Sequence, residues 1–81
     1  MANIPVNANS MYVAPGETVT GGFGGFYVEP NTIIGRLVDA NGGTLVAPPA
    51  TLTITQGGYI PLYVTGITID AGSTGGVILF P

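Results

Sequence analysis

The fold is decided by residues 32–47, which read TIIGRLVDANGGTLVA. Both ends of this stretch are rich in Val, Ile, Leu and Thr, and the pair Asn41-Gly42 stands between them. β-Branched residues favour strands, and Asn-Gly supplies the positive φ angles that a tight hairpin turn requires. The stretch therefore predicts antiparallel strands at 32–38 and 44–47, joined by a short turn.

A second hairpin is predicted downstream, over residues 51–64. Its first arm alternates Thr with Leu52 and Ile54, so these two side chains are expected on the core face and the threonines on the other face. Gln-Gly-Gly forms the turn, and residues 59–64 form the returning strand. Because Pro61 cannot donate to a ladder, that strand is expected at a sheet edge or with a bulge.

The remaining chain predicts further short strands and no helix. Gly or Pro interrupts every window long enough for a helix, and Pro48-Pro49 is expected to form an extended corner. The first arm of the second hairpin is expected at about 50–55, and the other strands at about 10–14, 22–28 and 76–80, with a shorter one at 67–69. We expect an all-β fold, a small antiparallel β-sandwich or barrel of about six to eight short strands. It forms a single β domain at 10–81, preceded by an extended N-terminal arm at 1–9.

Composition excludes most chemistry. Five side chains carry formal charge, which is 6% of the chain against about 25% in ordinary domains. The sequence has no His, Cys, Lys or Trp, so zinc, haem, thiol, disulfide and His- or Lys-based catalysis lose their usual groups. The net charge of −3 has the wrong sign for a nucleic-acid backbone. We expect no cofactor, no metal site and no nucleic-acid partner.

Because so few side chains are charged, the surface of this chain is expected to contact other molecules in an assembly. Its longest apolar runs, such as 77–80, are far shorter than the roughly 18–20 residues of a membrane span, so no membrane partner is expected. The N-terminus has no basic region followed by an apolar run, so we expect no signal peptide and synthesis in a cytoplasm. A domain of this size gains only about 3–5 kcal/mol from its core. Oligomerisation or docking onto a partner would reinforce it.

Two local motifs invite a chemical interpretation. The segment GGFGGFY at 21–27 lacks the Lys and the following helix of a phosphate loop, so we interpret it as a bend or bulge beside another backbone. Asp39-Ala40-Asn41-Gly42-Gly43 has the oxygen spacing of half a calcium loop, but Ala50 stands where a bidentate Glu would be needed. A turn capped by Asp39 is the simpler interpretation.

No set of residues supports catalysis. Nothing in the sequence places two of the acidic residues Glu17, Glu29 and Asp70 across a cleft. Ser10 and Ser73 have no His or Lys to activate them. We therefore expect that the protein is not an enzyme.

Several residues are candidates for an interface. Arg36, the one cation, is interpreted as a clamp on a partner carboxylate or as a solvated side chain. The four tyrosines are candidates for a sugar platform or for packing at the core edge, and the spacing of Tyr59 and Tyr63 predicts one face of one strand. The full candidate set is Ile4, Val6, Phe23, Phe26, Arg36, Tyr59, Tyr63 and Phe80.

Features spread over the whole chain suggest a class of protein. They are the arm at 1–9, the turn APGET at 14–18, the Gly- and Thr-rich strands and the ending GVILFP at 76–81. Together they resemble the small all-β virion proteins of tailed phages, especially capsid decoration (cement) proteins. The resemblance implies a homo-oligomer, with a homotrimer favoured, that binds major capsid protein on the capsid surface and stabilises the shell. A tail or fibre part, a sugar- or receptor-binding β module, and a self-assembling coat or filament subunit are the alternatives.

Overall fold

A computed structural model describes residues 10–81, which contain nine strands and no helix. The bounds are β1 Met11–Val13, β2 Thr18–Phe23, β3 Gly25–Val28, β4 Thr32–Asp39, β5 Thr44–Val46, β6 Leu52–Ile54, β7 Gly58–Ile60, β8 Val64–Ile69 and β9 Val77–Phe80. They form two antiparallel sheets packed together, which confirms the predicted all-β class and fits a small sandwich. The predicted arm, with Ile4 and Val6, lies outside the described residues.

The chain crosses repeatedly between the two sheets, although β4, β5 and β6 all belong to the same one. Sheet A has the order β1-β9-β3-β7, and sheet B has the order β2-β8-β4-β5 with β6 also paired to β4. Leu37 pairs with β5 and β8, and Ile34 pairs with β6 and β8. Strands β5 and β6 therefore share one edge of β4, which is the central strand of sheet B.

The core lies between the sheets and follows the alternation of each strand. Sheet A contributes the inward side chains of β1, β3 and β9, and sheet B contributes those of β2, β4 and β8. The core residues are Val13, Phe23, Phe26, Val28, Ile34, Leu37, Val64, Ile67, Ile69, Val77 and Leu79. Alternate positions on the same strands point away from the core and form two outer faces.

The first predicted hairpin is confirmed. Strand β4 pairs with β5, with Leu37 opposite Val46. In the turn, Asp39 Oδ1 accepts hydrogen bonds from the amides of Asn41 at 2.9 Å and Gly43 at 2.8 Å. The expected Asp-capped turn is therefore present.

The second predicted hairpin is wrong. Strand β6 pairs with β4 in sheet B, whereas β7 pairs with β3 in sheet A. The Gln-Gly-Gly segment thus carries the chain from one sheet to the other. Leu52 is 43% exposed, although its alternation predicted burial, while Ile54 does pack against the core. Strand β7 is an edge of sheet A, as Pro61 indicated, and ends at Ile60.

Other boundaries also differ from the sequence prediction, since β2 begins at Thr18 and β8 begins at Val64. The strand expected at 22–28 divides at Gly24, where the chain passes from β2 to β3 and the Gly24 amide donates to the Phe80 carbonyl at 2.9 Å. This agrees with the expected bend beside another backbone. The peptide bond between Pro48 and Pro49 is cis, and the Ala50 amide donates to the Ala47 carbonyl at 2.9 Å. The segment is therefore a tight turn, and the expected extended corner is wrong.

Candidate functional site

All four carboxylates hold backbone amides of this chain. Glu17 Oε1 accepts from the Ala14 amide at 2.9 Å, and Asp70 Oδ2 accepts from the Gly72 amide at 2.9 Å. Glu29 Oε1 accepts from the Gly76 amide at 2.8 Å, and Asp39 caps its turn as described above. Each acidic side chain therefore stabilises a local turn or the start of a strand.

The described range has no enclosed cavity. Residues 10–81 contain neither a pocket nor a group of three acidic side chains close enough to hold a metal ion. Ser73 is buried and structural, because its Oγ donates to the Gly75 carbonyl at 2.5 Å and accepts from the Ile33 amide at 2.9 Å. Function is therefore sought on the surface.

One outer face is aromatic and crosses all four strands of sheet A. The register places Tyr12 of β1 opposite Ile78 of β9, Ile78 opposite Tyr27 of β3, and Tyr27 opposite Tyr59 of β7. Phe80 lies on the same side of β9, and its ring centroid is 6.0 Å from that of Tyr59. We call these five residues the tyrosine face. The three tyrosines are 39–57% exposed.

Glycines let the tyrosines of this face lie against the sheet. A Cβ added to Gly76 would come within 2.5 Å of the Tyr12 hydroxyl oxygen, and one added to Gly25 would collide with the Tyr59 ring. Only a residue without a side chain leaves room for a ring at these positions. The rings therefore cover the glycine backbone from outside, in the way that aromatic residues protect glycines in other sheets.

Glu29 fixes one end of the tyrosine face. Its Oε1 accepts from the Tyr12 hydroxyl at 2.8 Å as well as from the Gly76 amide. The bond from Gly76 and then the bond from Tyr12 hold the pKa of Glu29 below its ordinary value, although desolvation acts in the opposite direction. The bond to Glu29 raises the pKa of Tyr12. This carboxylate is satisfied within the chain, and it orients the terminal tyrosine.

The opposite outer face, on sheet B, is rich in threonine. Thr18 of β2 lies opposite Thr68 of β8, and Thr68 lies opposite Arg36 of β4. The Oγ1 atoms of Thr18 and Thr68 are 2.9 Å apart. In the next row, Thr20 and Thr44 flank Gly66 and Val38. We call Thr18, Thr20, Thr44, Thr68 and Arg36 the threonine face.

Arg36 has no partner within the described residues. It is exposed on the central strand of sheet B. Its guanidinium forms neither a hydrogen bond nor an ion pair with any residue of 10–81. An isolated cation at the centre of a nearly neutral face is a candidate contact for a carboxylate on another molecule.

No known protein family, curated protein or solved structure matches this chain. The described residues contain no helix long and apolar enough to cross a membrane. What the protein does must therefore be argued from the two outer faces.

The structure separates the predicted interface residues into different environments. Arg36 and Tyr59 are exposed on opposite faces, and Phe80 is half-buried on the tyrosine face. Phe23 and Phe26 belong to the core, and Phe26 is 1% exposed. The structure thus corrects their place among the surface candidates, because both side chains point between the sheets.

The predicted pairing of Tyr59 and Tyr63 on one strand is wrong. Strand β7 ends at Ile60 and β8 begins at Val64, so Tyr63 lies in the connection between two sheets. Its hydroxyl would be 2.7 Å from a Cβ added to Gly22 of β2. The neighbour of Tyr59 on its own face is instead Tyr27.

The sequence identified the tyrosines as candidates but did not predict that three of them form one row across sheet A. Ile78, which links Tyr12 to Tyr27, was not a candidate, because it reads as an ordinary strand residue. Its alternation with Val77 and Leu79 does signal an outward position. The order β1-β9-β3-β7 is what joins these residues, and no local pattern in the sequence contains that order.

Proposed function

We propose that this chain is a non-enzymatic virion structural protein, most specifically a capsid decoration protein. In this role it binds assembled major capsid protein and stabilises the shell. The observation that carries the proposal is a sandwich with two broad, almost uncharged outer faces, no pocket in residues 10–81, and carboxylates that all bind their own backbone. The resemblance in composition and in the C-terminal strand supplies the class.

The threonine face supports docking onto a protein surface. Its side chains are short, and Thr18 and Thr68 already share a hydrogen bond, so little charge must lose its water on binding. Arg36 supplies a planar group that binds a carboxylate through two hydrogen bonds. Arginine is also among the residues that dominate binding energy at interfaces. The proposed contact therefore has one charged anchor within a neutral surround.

Repetition strengthens such a contact. A shell presents the same docking surface many times, and linked copies bind with an avidity that exceeds the affinity of each copy. A homo-oligomer, a homotrimer in the form that the resemblance implies, would use this effect. Stabilisation of the shell then follows from bridging between neighbouring subunits.

Particle fractionation tests the proposal. Particles from the source are separated on a density gradient, and mass spectrometry measures the ratio of this chain to the major shell protein. A simple lattice ratio is the expected result. A few copies per particle would move the protein to a tail or fibre, and its absence from particles would contradict a virion role.

A truncation refines this test. Deletion of residues 1–9 is expected to leave the far-ultraviolet circular dichroism spectrum of the β domain intact and to abolish binding to shells. The full-length chain, mixed with the same shells, is the matched control. Tight binding by the truncated chain would contradict a docking role for the arm.

A sugar- or receptor-binding module is the second candidate function. It is favoured by the exposed tyrosines of sheet A, because rings that lie against a sheet present one face outward. A glycan array tests it, with Tyr59→Ala and Tyr63→Ala as variants on different parts of the surface. Loss of glycan affinity in Tyr59→Ala alone would support the tyrosine face as the platform, and a silent array would count against this candidate.

A further inference from the structure

We infer that the tyrosine face is the contact between two copies of this chain, packed face to face about a two-fold axis. The inference specifies the proposed homo-oligomer as a two-fold dimer, in place of the homotrimer that the resemblance implies, and rests on the proposed function only for its biological setting. It assigns the oligomer contact to sheet A and leaves the threonine face, on the opposite side of the sandwich, free for the shell.

Charge favours a second copy as the occupant. The five residues of the tyrosine face carry no formal charge. Two carboxylates lie near the Tyr12 end of the row: Glu29, which is held by Tyr12 and by the Gly76 amide, and Glu17, whose negative charge also raises the pKa of Tyr12. Arg36 lies on the opposite face. Two tyrosine faces can therefore meet around Ile78, Tyr27 and Tyr59 with no charged side chain among these three residues. A strongly basic or acidic partner would find no matching charge in the row.

The dimensions of the sandwich suit a dimer. The described chain measures 39 × 28 × 18 Å along its principal axes, so its broad sides offer enough area for the ~800 Å² per partner that a standard interface buries. Homodimer interfaces are more apolar than other interfaces, and two-fold dimers are the commonest oligomers. An apolar outer face complements another copy of itself.

The arrangement of the rings lowers the cost of this contact. Glu29 orients Tyr12, and the ring of Tyr59 is held between Phe80 and the backbone of Gly25. Tyrosine provides a large, rigid contact area with little loss of side-chain freedom. Tyr27 lies on an inner strand of the sheet, between β9 and β7, so we place it near the two-fold axis.

Sedimentation equilibrium of the full chain tests the inference. The wild type is expected to be a dimer, and Tyr27→Glu, which places charges at the axis, is expected to raise the dimer dissociation constant at least tenfold. Thr53→Glu is the matched control, since it introduces the same residue at an exposed position of β6 in sheet B and should leave the dimer intact. Circular dichroism confirms that each variant is folded. If Tyr27→Glu fails to fold, Tyr59→Glu, which lies on the edge strand, replaces it in the same measurement.

Single cysteines give a second measurement that does not depend on destabilisation. The chain has no cysteine, so Tyr27→Cys can cross-link only to the same position of another copy. Under oxidising conditions we expect covalent dimers of Tyr27→Cys and few of Arg36→Cys. Equal cross-linking of both variants would contradict a specific face-to-face contact.

The remaining outcomes distinguish this inference from the proposed function. A wild-type monomer or trimer would overturn the two-fold dimer, even if the chain still binds shells. A monomer that loses shell or glycan binding in Tyr27→Glu would assign the tyrosine face to that partner instead and overturn the inference. A dimer that binds no shell would support the inference and contradict the proposed function.

Discussion

The two outer faces of the sandwich are built from different side chains on the same backbone plan. Sheet A presents aromatic rings that lie on glycines, and Glu29 fixes one end of their row. Sheet B presents short threonines around one arginine that has no partner within residues 10–81. Both faces flank one core. Because their exposed side chains differ, the two faces are suited to contacts with different kinds of surface.

The comparison shows where the scarce charges of the chain are used. Its four acids hold turns and strand starts, and its one cation is left exposed without an intrachain partner in residues 10–81. The acids thus maintain the local structure, and Arg36 remains exposed on the threonine face. In the proposed roles, the tyrosine face acts through packing, whereas the threonine face acts through Arg36.

The largest expected effect on the free energy of unfolding comes from adding a side chain at Gly76, which lies under Tyr12. In Gly76→Ala, the new Cβ would come within 2.5 Å of the Tyr12 hydroxyl and close to the Val13 carbonyl, so the backbone must move and the start of the β1–β9 pairing is disturbed. We expect a loss of about 1–3 kcal/mol in the free energy of unfolding. Urea denaturation measures it.

Gly66→Ala is the matched control on the other face. Its Cβ would lie 3.6 Å from Val38, an ordinary contact, and the free energy of unfolding is expected to change by less than about 1 kcal/mol. Equal losses in the two variants would show that the tyrosine face does not depend on its glycines more than the threonine face does.

A smaller effect on the free energy of unfolding is expected when Glu29, at one end of the tyrosine face, becomes protonated at acid pH. Because the folded pKa of Glu29 lies below its ordinary value of 4.5, its carboxylate stabilises the fold above that pH, and this stability is lost as the pH falls through the folded pKa. Glu29→Gln should lower the free energy of unfolding at neutral pH. It should also make this free energy decrease less steeply as the pH falls. Urea midpoints measured from neutral pH to below pH 4.5 test this.

Tyr12→Phe separates the two bonds of Glu29. It removes the hydroxyl donor but keeps the ring and the bond from the Gly76 amide. Part of the acid dependence should therefore remain, since the Gly76 bond lowers the pKa of Glu29 most. If the loss of stability at acid pH is the same in Glu29→Gln as in the wild type, this would contradict the role of Glu29 in the acid dependence.

The smallest effect is expected on the threonine face. Thr68→Val removes one partner of the exposed 2.9 Å contact with Thr18 and keeps a β-branched side chain. Cross-strand pairs of this kind contribute roughly 0.2–1 kcal/mol, and a valine recovers part of this by its strand preference. Urea unfolding should change little. A loss as large as that of Gly76→Ala would show that this face is structurally as sensitive as the other.

Local sequence patterns predicted the parts of the fold whose partners are adjacent in the chain. The Asn41-Gly42 turn joins β4 to β5, and Asp39 caps it, because all the groups involved lie within a few residues. The alternation of Leu52 and Ile54 indicated a strand but not its partner. Strand β6 pairs with β4 and β7 with β3, and such non-local pairing leaves no local signal.

The candidate site was likewise predictable only in part, where a single residue gives a local signal. Arg36 was identified because a single cation stands out in the composition. Phe26 was misplaced because an inward and an outward aromatic residue look the same in the sequence. The row from Tyr12 to Tyr59 depends on the order of four strands that are distant in the chain, so it could be recognised only from the fold.

The most direct test of a structural role is binding of the purified chain to assembled shells that lack it. Co-sedimentation should show saturable binding at a fixed ratio to the shell protein, strongly reduced in Arg36→Gln and partly retained in Arg36→Lys, which keeps the charge without the planar fork. Gln56→Ala, at an exposed position in the connection between β6 and β7, should bind as the wild type does. A chain that stays unbound, or an Arg36→Gln variant that binds fully, would contradict docking through the threonine face.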